Sequence, residues 1–177
     1  RILVPLCGKS VDLDHLSREG YEVVGVELVE QAVREAFGEC GREPEVEDIG
    51  KLRRYRCDKL TIYCGDIFDA TAEVLGTFDR IWDRAALVAL EKDVRPRYTR
   101  HLRTLAEPGA LLLQNVLEYD QSVMQGPPWS VSEAEVREHY GDLSLEILHQ
   151  RNVIENVRWK ERGHQWWKTC TYLVRFP

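Results

Sequence analysis

This chain has little glycine where a phosphate-binding loop needs it. Its first apolar run breaks at Val4-Pro5-Leu6-Cys7-Gly8-Lys9-Ser10, and Leu3 stands five residues before Gly8, where a P-loop carries glycine. Nor are there three spaced glycines to bring a backbone against a dinucleotide pyrophosphate, which disfavours a nucleotide-dependent oxidoreductase. The five cysteines (Cys7, Cys40, Cys57, Cys64, Cys170) form no C-x-x-C pair and no zinc spacing, so no metal site is expected. Their odd number and scatter suit a reducing compartment, the cytosol. There is no run of about 18 apolar residues, so neither a transmembrane helix nor a membrane partner is expected. No signal-peptide pattern is visible. Basic charge is in deficit: 24 Lys and Arg against 30 Asp and Glu leave a net charge of -6, which argues against a nucleic-acid partner. Internal repeats and low-complexity segments are lacking too.

What is present is a chain of 177 residues, enough for one domain with a sizeable core. The loop at Gly8 leads into an amphipathic segment and then a second apolar run, Tyr21-Glu22-Val23-Val24-Gly25-Val26, which ends in Glu27. Strand, tight turn, helix, strand, acid is how α/β folds place an adenosine, with the acid on the ribose hydroxyls. A loop poor in glycine suits a ligand with an adenosine and no phosphates, such as S-adenosylmethionine. A plain strand–helix turn that binds nothing reads the same way.

The first helix is predicted to start near Ser10 or Asp12, carry Leu13 and Leu16, and end at Gly20. Val29, Ala32, Val33, Ala36 and Phe37 have helical spacing, with an end near Gly38 or Gly41. Residues 42–58, interrupted by Pro44 and Gly50, read as a loop followed by a short strand around Leu52–Cys57. Leu60–Cys64 reads as the third strand of the main sheet, with Cys64 as a small buried hydrophobe. Strands are also expected at 78–82, 110–117, 143–148 and 169–176, with 110–117 central and covered on both faces. Tyr98, Leu102 and Leu105 mark a helix over roughly 93–106. Ser132 with Glu135 makes a capping box, and Val131 with Val136 a hydrophobic staple. The expected architecture is a doubly wound α/β fold: a seven-stranded, mostly parallel sheet, helices on both faces, and an antiparallel C-terminal edge.

On such sheets ligands bind at the carboxyl ends of the strands. The residues there are Leu6-Cys7-Gly8, Glu27, Gly65-Asp66-Ile67, Asp83-Arg84 and Glu118-Tyr119-Asp120. Strand ends are polar in any fold because they meet loops. Glu27 and Asp66, after the second and third strands, can nevertheless hold a ribose and an adenine amine. Cys7 is disfavoured as a nucleophile, because no histidine is near it in sequence.

The chain resembles the thiopurine S-methyltransferase family. The matching pieces are Pro5-Leu6-Cys7-Gly8-Lys9, Val24-Gly25-Val26-Glu27, Ile67-Phe68-Asp69, the stretch from Ile81-Trp82-Asp83-Arg84 through Ala89, Tyr119-Asp120 and Gly126-Pro127-Pro128, in family order across nearly the whole chain. The resemblance implies a Rossmann-like methyltransferase sheet with S-adenosylmethionine as cofactor and S-adenosylhomocysteine as product. It implies Leu6 near the methionine end, Glu27 on the ribose, Asp66 and Ile67 flanking the adenine, and Arg84 between cofactor and substrate. Arg162, in Glu161-Arg162-Gly163-His164, falls where the family has a second substrate-facing arginine, although the loop departs from the pattern at Gly163 and after His164. Family members carry an N-terminal helical segment before the first strand. This chain, 1–177, opens at that strand and reads as a single methyltransferase domain without that cover, so weak cofactor binding is expected.

The implied reaction is in-line methyl transfer to a small or aromatic thiol, a thiopurine, or a selenium or tellurium compound. Positioning is then the main task, and two arginines favour the anionic nucleophile. No dedicated base is expected; Asp120 is the candidate if there is one, its plain alternative being a turn cap. The plain alternative for Arg84 is a salt bridge with Asp83 or Asp79, and for Arg162 a solvated loop charge. Trp129, Trp159, Trp166 and Trp167 either wall an aromatic pocket or form satellite core, and His164 is the histidine near the proposed site. A non-catalytic binding module of the same fold is the rival reading. A monomer is the simplest expectation.

Overall fold

A computed structural model describes residues 1–154 and 157–177. Residues 155 and 156, inside the tryptophan-rich stretch, lie outside the described residues. The chain divides into two compact units, Arg1–Trp82 with Thr104–Glu107, and Asp83–Arg103 with Pro108–Pro177.

The first unit alternates strand and helix: β1 (Ile2–Pro5), α1 (Val11–Arg18), β2 (Val23–Glu27), α2 (Glu30–Glu39), β3 (Glu45–Ile49), β4 (Leu52–Cys57), β5 (Leu60–Cys64), α3 (Ala72–Leu75) and β6 (Phe78–Arg84), whose last two residues pass into the second unit. β5, β2, β1 and β6 pair in parallel in that order. Parallel neighbours run in the same direction, so the carboxyl ends of β1, β2 and β5 lie side by side. Ser10 caps α1 by accepting from the Asp12 amide at 3.2 Å, satisfying one of the free donors of the first turn. Leu13 from α1 and Val33, Ala36 and Phe37 from α2 are buried against Ile2, Val4, Val23, Tyr55, Leu60 and Ile62. Val29 is not part of that buried face: it precedes the first turn of α2 and is exposed.

The strand expected at Leu52–Cys57 is β4, while residues 45–49 correct the expected loop. β3 and β4 form an antiparallel hairpin closed by Gly50 and Lys51, and β4 pairs antiparallel with β5. The hairpin is held by charge: Asp48 stands opposite Arg53 and Glu47 opposite Arg54, both as ion pairs. Cys64 is half-buried rather than buried.

The second unit holds α4 (Arg95–Leu105), β7 (Ala106–Tyr119), α5 (Glu133–Tyr140), β8 (Ser144–Asn152), α6 (Val157–Glu161) and β9 (Trp167–Arg175), apart from residues 104–107. β9 pairs antiparallel with both β7 and β8, the antiparallel C-terminal edge. β7 is longer than expected and is not covered equally on its two faces. Ala110, Leu112, Gln114 and Val116 are buried while their neighbours are half-exposed. Tyr98 and Leu102 of α4 are fully buried. Ser132 accepts from the Glu135 amide at 3.2 Å, and Val131 and Val136 are both buried as the staple requires. The Glu135 carboxylate turns to Arg95 instead of closing the box. Among the described residues there are nine strands, not seven, and their pairing is mixed rather than mostly parallel.

Candidate active site

In the first unit the loop after β1 departs from ordinary backbone. Leu6 has φ 46° and Gly8 φ 52°. A left-handed leucine costs roughly 1–2 kcal/mol and persists only where its surroundings over-determine it. Those surroundings are clear. The Cys7 amide donates to Val26 O at 3.0 Å, the Ser10 amide to Cys7 O at 3.1 Å, and the Cys7 side chain is buried over Gly25. The Gly8 amide donates to Glu27 Oε2 at 2.8 Å, and the Val29 amide to Glu27 Oε1 at 2.9 Å. The Gly65 amide donates to Glu27 O at 2.8 Å, which brings the end of β5 to the end of β2. Next to it Asp66 Oδ1 accepts from the Phe68 amide at 2.9 Å, and Ile67 is buried. Leu6, Gly8, Glu27, Asp66 and Ile67 are thus gathered at three adjacent strand ends.

Burial, and secondarily the Glu27 charge, pushes the Cys7 thiol far above its usual range, so it stays protonated and is no nucleophile. Lys9 turns to Glu39 at 2.7 Å and Glu35 at 3.0 Å on α2. A phosphate loop would have its lysine facing the ligand.

This donor set fits an adenosine without phosphates. Each Glu27 oxygen accepts one backbone N–H and, as a carboxylate oxygen, has lone-pair capacity for a hydroxyl as well. A Cβ built on Gly8 would meet no atom within 4 Å, so the loop backbone faces open space.

In the second unit the end of β6 carries Asp83, Arg84 and Ala85. Asp83 is fully buried; its Oδ1 accepts from the amides of Ala86 at 3.0 Å and Leu87 at 3.3 Å, and its Oδ2 accepts from Tyr98 Oη at 2.7 Å. Burial raises its pKa to about 6, opposed by those hydrogen bonds. Arg84 is exposed, and Ala85 has φ 72°. Asp83 therefore serves the loop, and Asp79 is engaged by Arg80 at 3.4 Å.

After β7, Asp120 Oδ1 accepts from the Ser122 amide at 3.0 Å and from Ser122 Oγ at 2.7 Å. These bonds hold its pKa below the usual carboxylate range. That is the geometry of a turn cap, and a carboxylate so stabilised is a poorer proton acceptor. The same turn runs to Met124, whose Sδ lies 3.8 Å from Arg162 Nη1. The Arg162 guanidinium lies 5.5 Å from the Trp159 ring centre. Trp159 stacks on Trp167 (3.8 Å, 8°), and Trp167 stacks on Tyr119 (4.4 Å, 4°). His164 meets Tyr119 and Trp167 edge-on and is buried. Trp167 is core, then, and Trp159 connects that core to Arg162. Sequence reasoning did not find the buried state of Asp83 or this stack.

A strand–helix alternation with no phosphate-binding glycine pattern in its first loop and an acid after its second strand suits the class of S-adenosylmethionine-dependent methyltransferases. Its fold matches that of an arsenic(III) S-adenosylmethionine methyltransferase from Chlamydomonas reinhardtii (TM-score 0.71, 14% identity, 100% of this chain and 63% of that one). The chain thus spans less than two thirds of that protein's length. The family model for thiopurine S-methyltransferase matches residues 1–175. Thiopurine S-methyltransferases of Pseudomonas aeruginosa (43% identity, 98% of this chain, 81% of that protein) and Bordetella petrii (42%, 99% and 81%) are similar along nearly all of it. The chain belongs to the thiopurine S-methyltransferase family, and its cofactor is S-adenosylmethionine.

Proposed function

We propose that this protein, acting as one catalytic domain over residues 1–177, methylates the sulfur of small or aromatic thiols, thiopurines included, and related selenium or tellurium nucleophiles. The observation that carries this reading is the state of Asp120. The carboxylate best placed by sequence to act as a base is committed to a turn and held ionised. An acceptor that arrives already as an anion needs no base, and aromatic thiols and thiopurines, more acidic than an ordinary thiol of pKa about 8.5, are substantially ionised near neutral pH. Exposed guanidiniums at Arg84 and Arg162 suit an anionic acceptor and orient its plane.

When bound, S-adenosylmethionine supplies a sulfonium methyl for in-line transfer. Glu27 holds the ribose hydroxyls, Gly8 and Leu6 shape the loop beneath the methionine end, and Asp66 with Ile67 flanks the adenine. Arg84 and Arg162 hold the thiolate and lower the entropy cost of its approach. The reading also takes the protein as a cytosolic monomer without nucleic-acid or membrane partners, supported by its scattered thiols and its net charge of -6. No helix among the described residues is long and apolar enough to cross a membrane.

The test is methyl transfer from labelled S-adenosylmethionine to mercaptopurine and to thiophenol, with phenol as control. Transfer to the thiols and not to phenol is expected. Preference for phenol, or no transfer to any sulfur, selenium or tellurium acceptor by folded protein, overturns the acceptor class.

A further inference from the structure

We infer that Asp83 is the positioning residue of Arg84: a buried carboxylate that folds residues 84–87 so that the arginine is presented to the acceptor. The inference rests on the acceptor role proposed for Arg84. Its basis is geometric. One oxygen of Asp83 gathers the amides of Ala86 and Leu87, the other takes the Tyr98 hydroxyl, and the side chain has no exposure. Between these anchors Ala85 is forced to φ 72°, with its amide donating to Asn115 O at 3.3 Å. A non-glycine residue in that region is held by its surroundings and does not choose it. Arg84, the residue before it, is exposed, while Asp83, Ala86, Leu87 and Tyr98 are buried.

The walls of this site are Tyr98 from α4, Gln114 from β7 and Tyr140 from α5, all fully buried. Burial raises both tyrosines well above their usual range, and the Asp83 charge pushes them further. Arg103 lies 5.8 Å from the Tyr140 ring centre and pairs with Asp142 at 2.7 Å. The hydroxyl of Tyr140 has no hydrogen-bond partner among the described residues. Asp83 therefore ionises against the cost of its burial, which the Tyr98 hydroxyl, the two loop amides and the Gln114 side chain offset in part. When it takes up a proton, its hold on the two amides weakens, because a neutral carboxyl accepts less strongly than a carboxylate.

The experiment uses thionitrobenzoate as acceptor, a thiol that is ionised across the range tested, so that acceptor ionisation does not enter. In the wild type, kcat/KM for this acceptor is expected to fall below a midpoint near pH 6 while the dissociation constant for S-adenosylhomocysteine stays flat. Tyr98→Phe removes the hydrogen bond that favours the ionised form, so the midpoint moves up. Asp83→Asn abolishes the limb and lowers kcat/KM by about tenfold, chiefly through KM, the size expected for roughly 1.4 kcal/mol of weakened hydrogen bonding. Amide resonances of Ala86 and Leu87, followed by NMR without any substrate, are expected to titrate with the same midpoint and to shift with it in Tyr98→Phe. An unmoved midpoint in Tyr98→Phe, by kinetics or by NMR, overturns the inference. So does a loss in Asp83→Asn that falls equally on cofactor affinity. If the wild type methylates no thiol, the acceptor reading fails on its own, and the amide titration still decides whether Asp83 controls this loop.

Discussion

The backbone amide of Gly8 donates to the Glu27 carboxylate across 2.8 Å, joining the loop after the first strand to the acid that ends the second. The bond fixes the acid's rotamer, and the Val29 amide holds its other oxygen. Glu27→Ala removes both the loop anchor and the ribose acceptor. A hydrogen bond to a charged group is worth about 1.5–3 kcal/mol, so affinity for S-adenosylhomocysteine is expected to drop by roughly 10- to 100-fold. The KM for a thiol acceptor, measured at saturating cofactor, is expected to stay the same. Calorimetric titration checks the first part, and an unchanged dissociation constant would remove Glu27 from the cofactor site.

Gly25 lies directly beneath that loop. A Cβ there would stand 2.8 Å from Cys7 Sγ, 3.3 Å from Ile62 Cγ1 and 3.4 Å from Leu13 Cδ2. Gly25→Ala is therefore expected to destabilise the fold by about 1–3 kcal/mol through overpacking. The strain should be relieved in part by Cys7→Ala, which removes the nearest atom. Urea unfolding of the two single variants and the double variant measures the coupling. Simple additivity of the two losses would show that Cys7 and Gly25 do not share this contact.

The loop, the acid and the capped helices were readable because each is a local pattern. Ser10 and Ser132 sit one turn from the amides they cap, and Gly8 and Glu27 bracket one strand–helix–strand unit. The β3–β4 hairpin was not readable in the same way. Its first strand is exposed at every position but the half-buried Ile49, so it has no buried alternation, and what holds it is the match of Glu47 and Asp48 to Arg54 and Arg53 on the next strand. Asp83 illustrates the same limit within the site. Nothing beside it in sequence says that a carboxylate is buried, because its partner Tyr98 lies on α4 and its shell on β7 and α5. Trp167 lies two residues before the strand expected at 169–176, and β9 begins with it.

Tyr119, Trp167 and Trp159 form a continuous stack that ends at Arg162. The two tryptophans should separate stability from function. Trp167 is fully buried, and Trp167→Ala is expected to cost about 3–5 kcal/mol. Trp159 is half-exposed and carries the guanidinium, an interaction worth roughly 0.5–1 kcal/mol at an exposed site. Trp159→Ala is expected to raise the acceptor KM by about two- to fivefold, leaving affinity for S-adenosylhomocysteine unchanged. Steady-state kinetics with thiophenol tests this; an unchanged KM would leave Arg162 as a solvated loop charge.

Because Asp83 has a folded-state pKa of about 6 against an ordinary 3.8, it makes stability depend on pH in the direction opposite to most paired carboxylates. Between those values the folded state keeps a proton that the unfolded state has released. Stability from this group is therefore fully present below the lower value and is lost as pH rises through the upper one. A shift of about two units corresponds to roughly 3 kcal/mol. Asp83→Asn carries no charge to bury and shows no such loss. The stability of the Asn variant minus that of the wild type is thus expected to rise by about 3 kcal/mol from about pH 4 to about pH 7, while all other titrating groups cancel in the difference. Chemical unfolding at a series of pH values measures it. A difference that falls with pH would mean that Asp83 is stabilised as an anion in the fold, and that Tyr98 and the loop amides outweigh its burial.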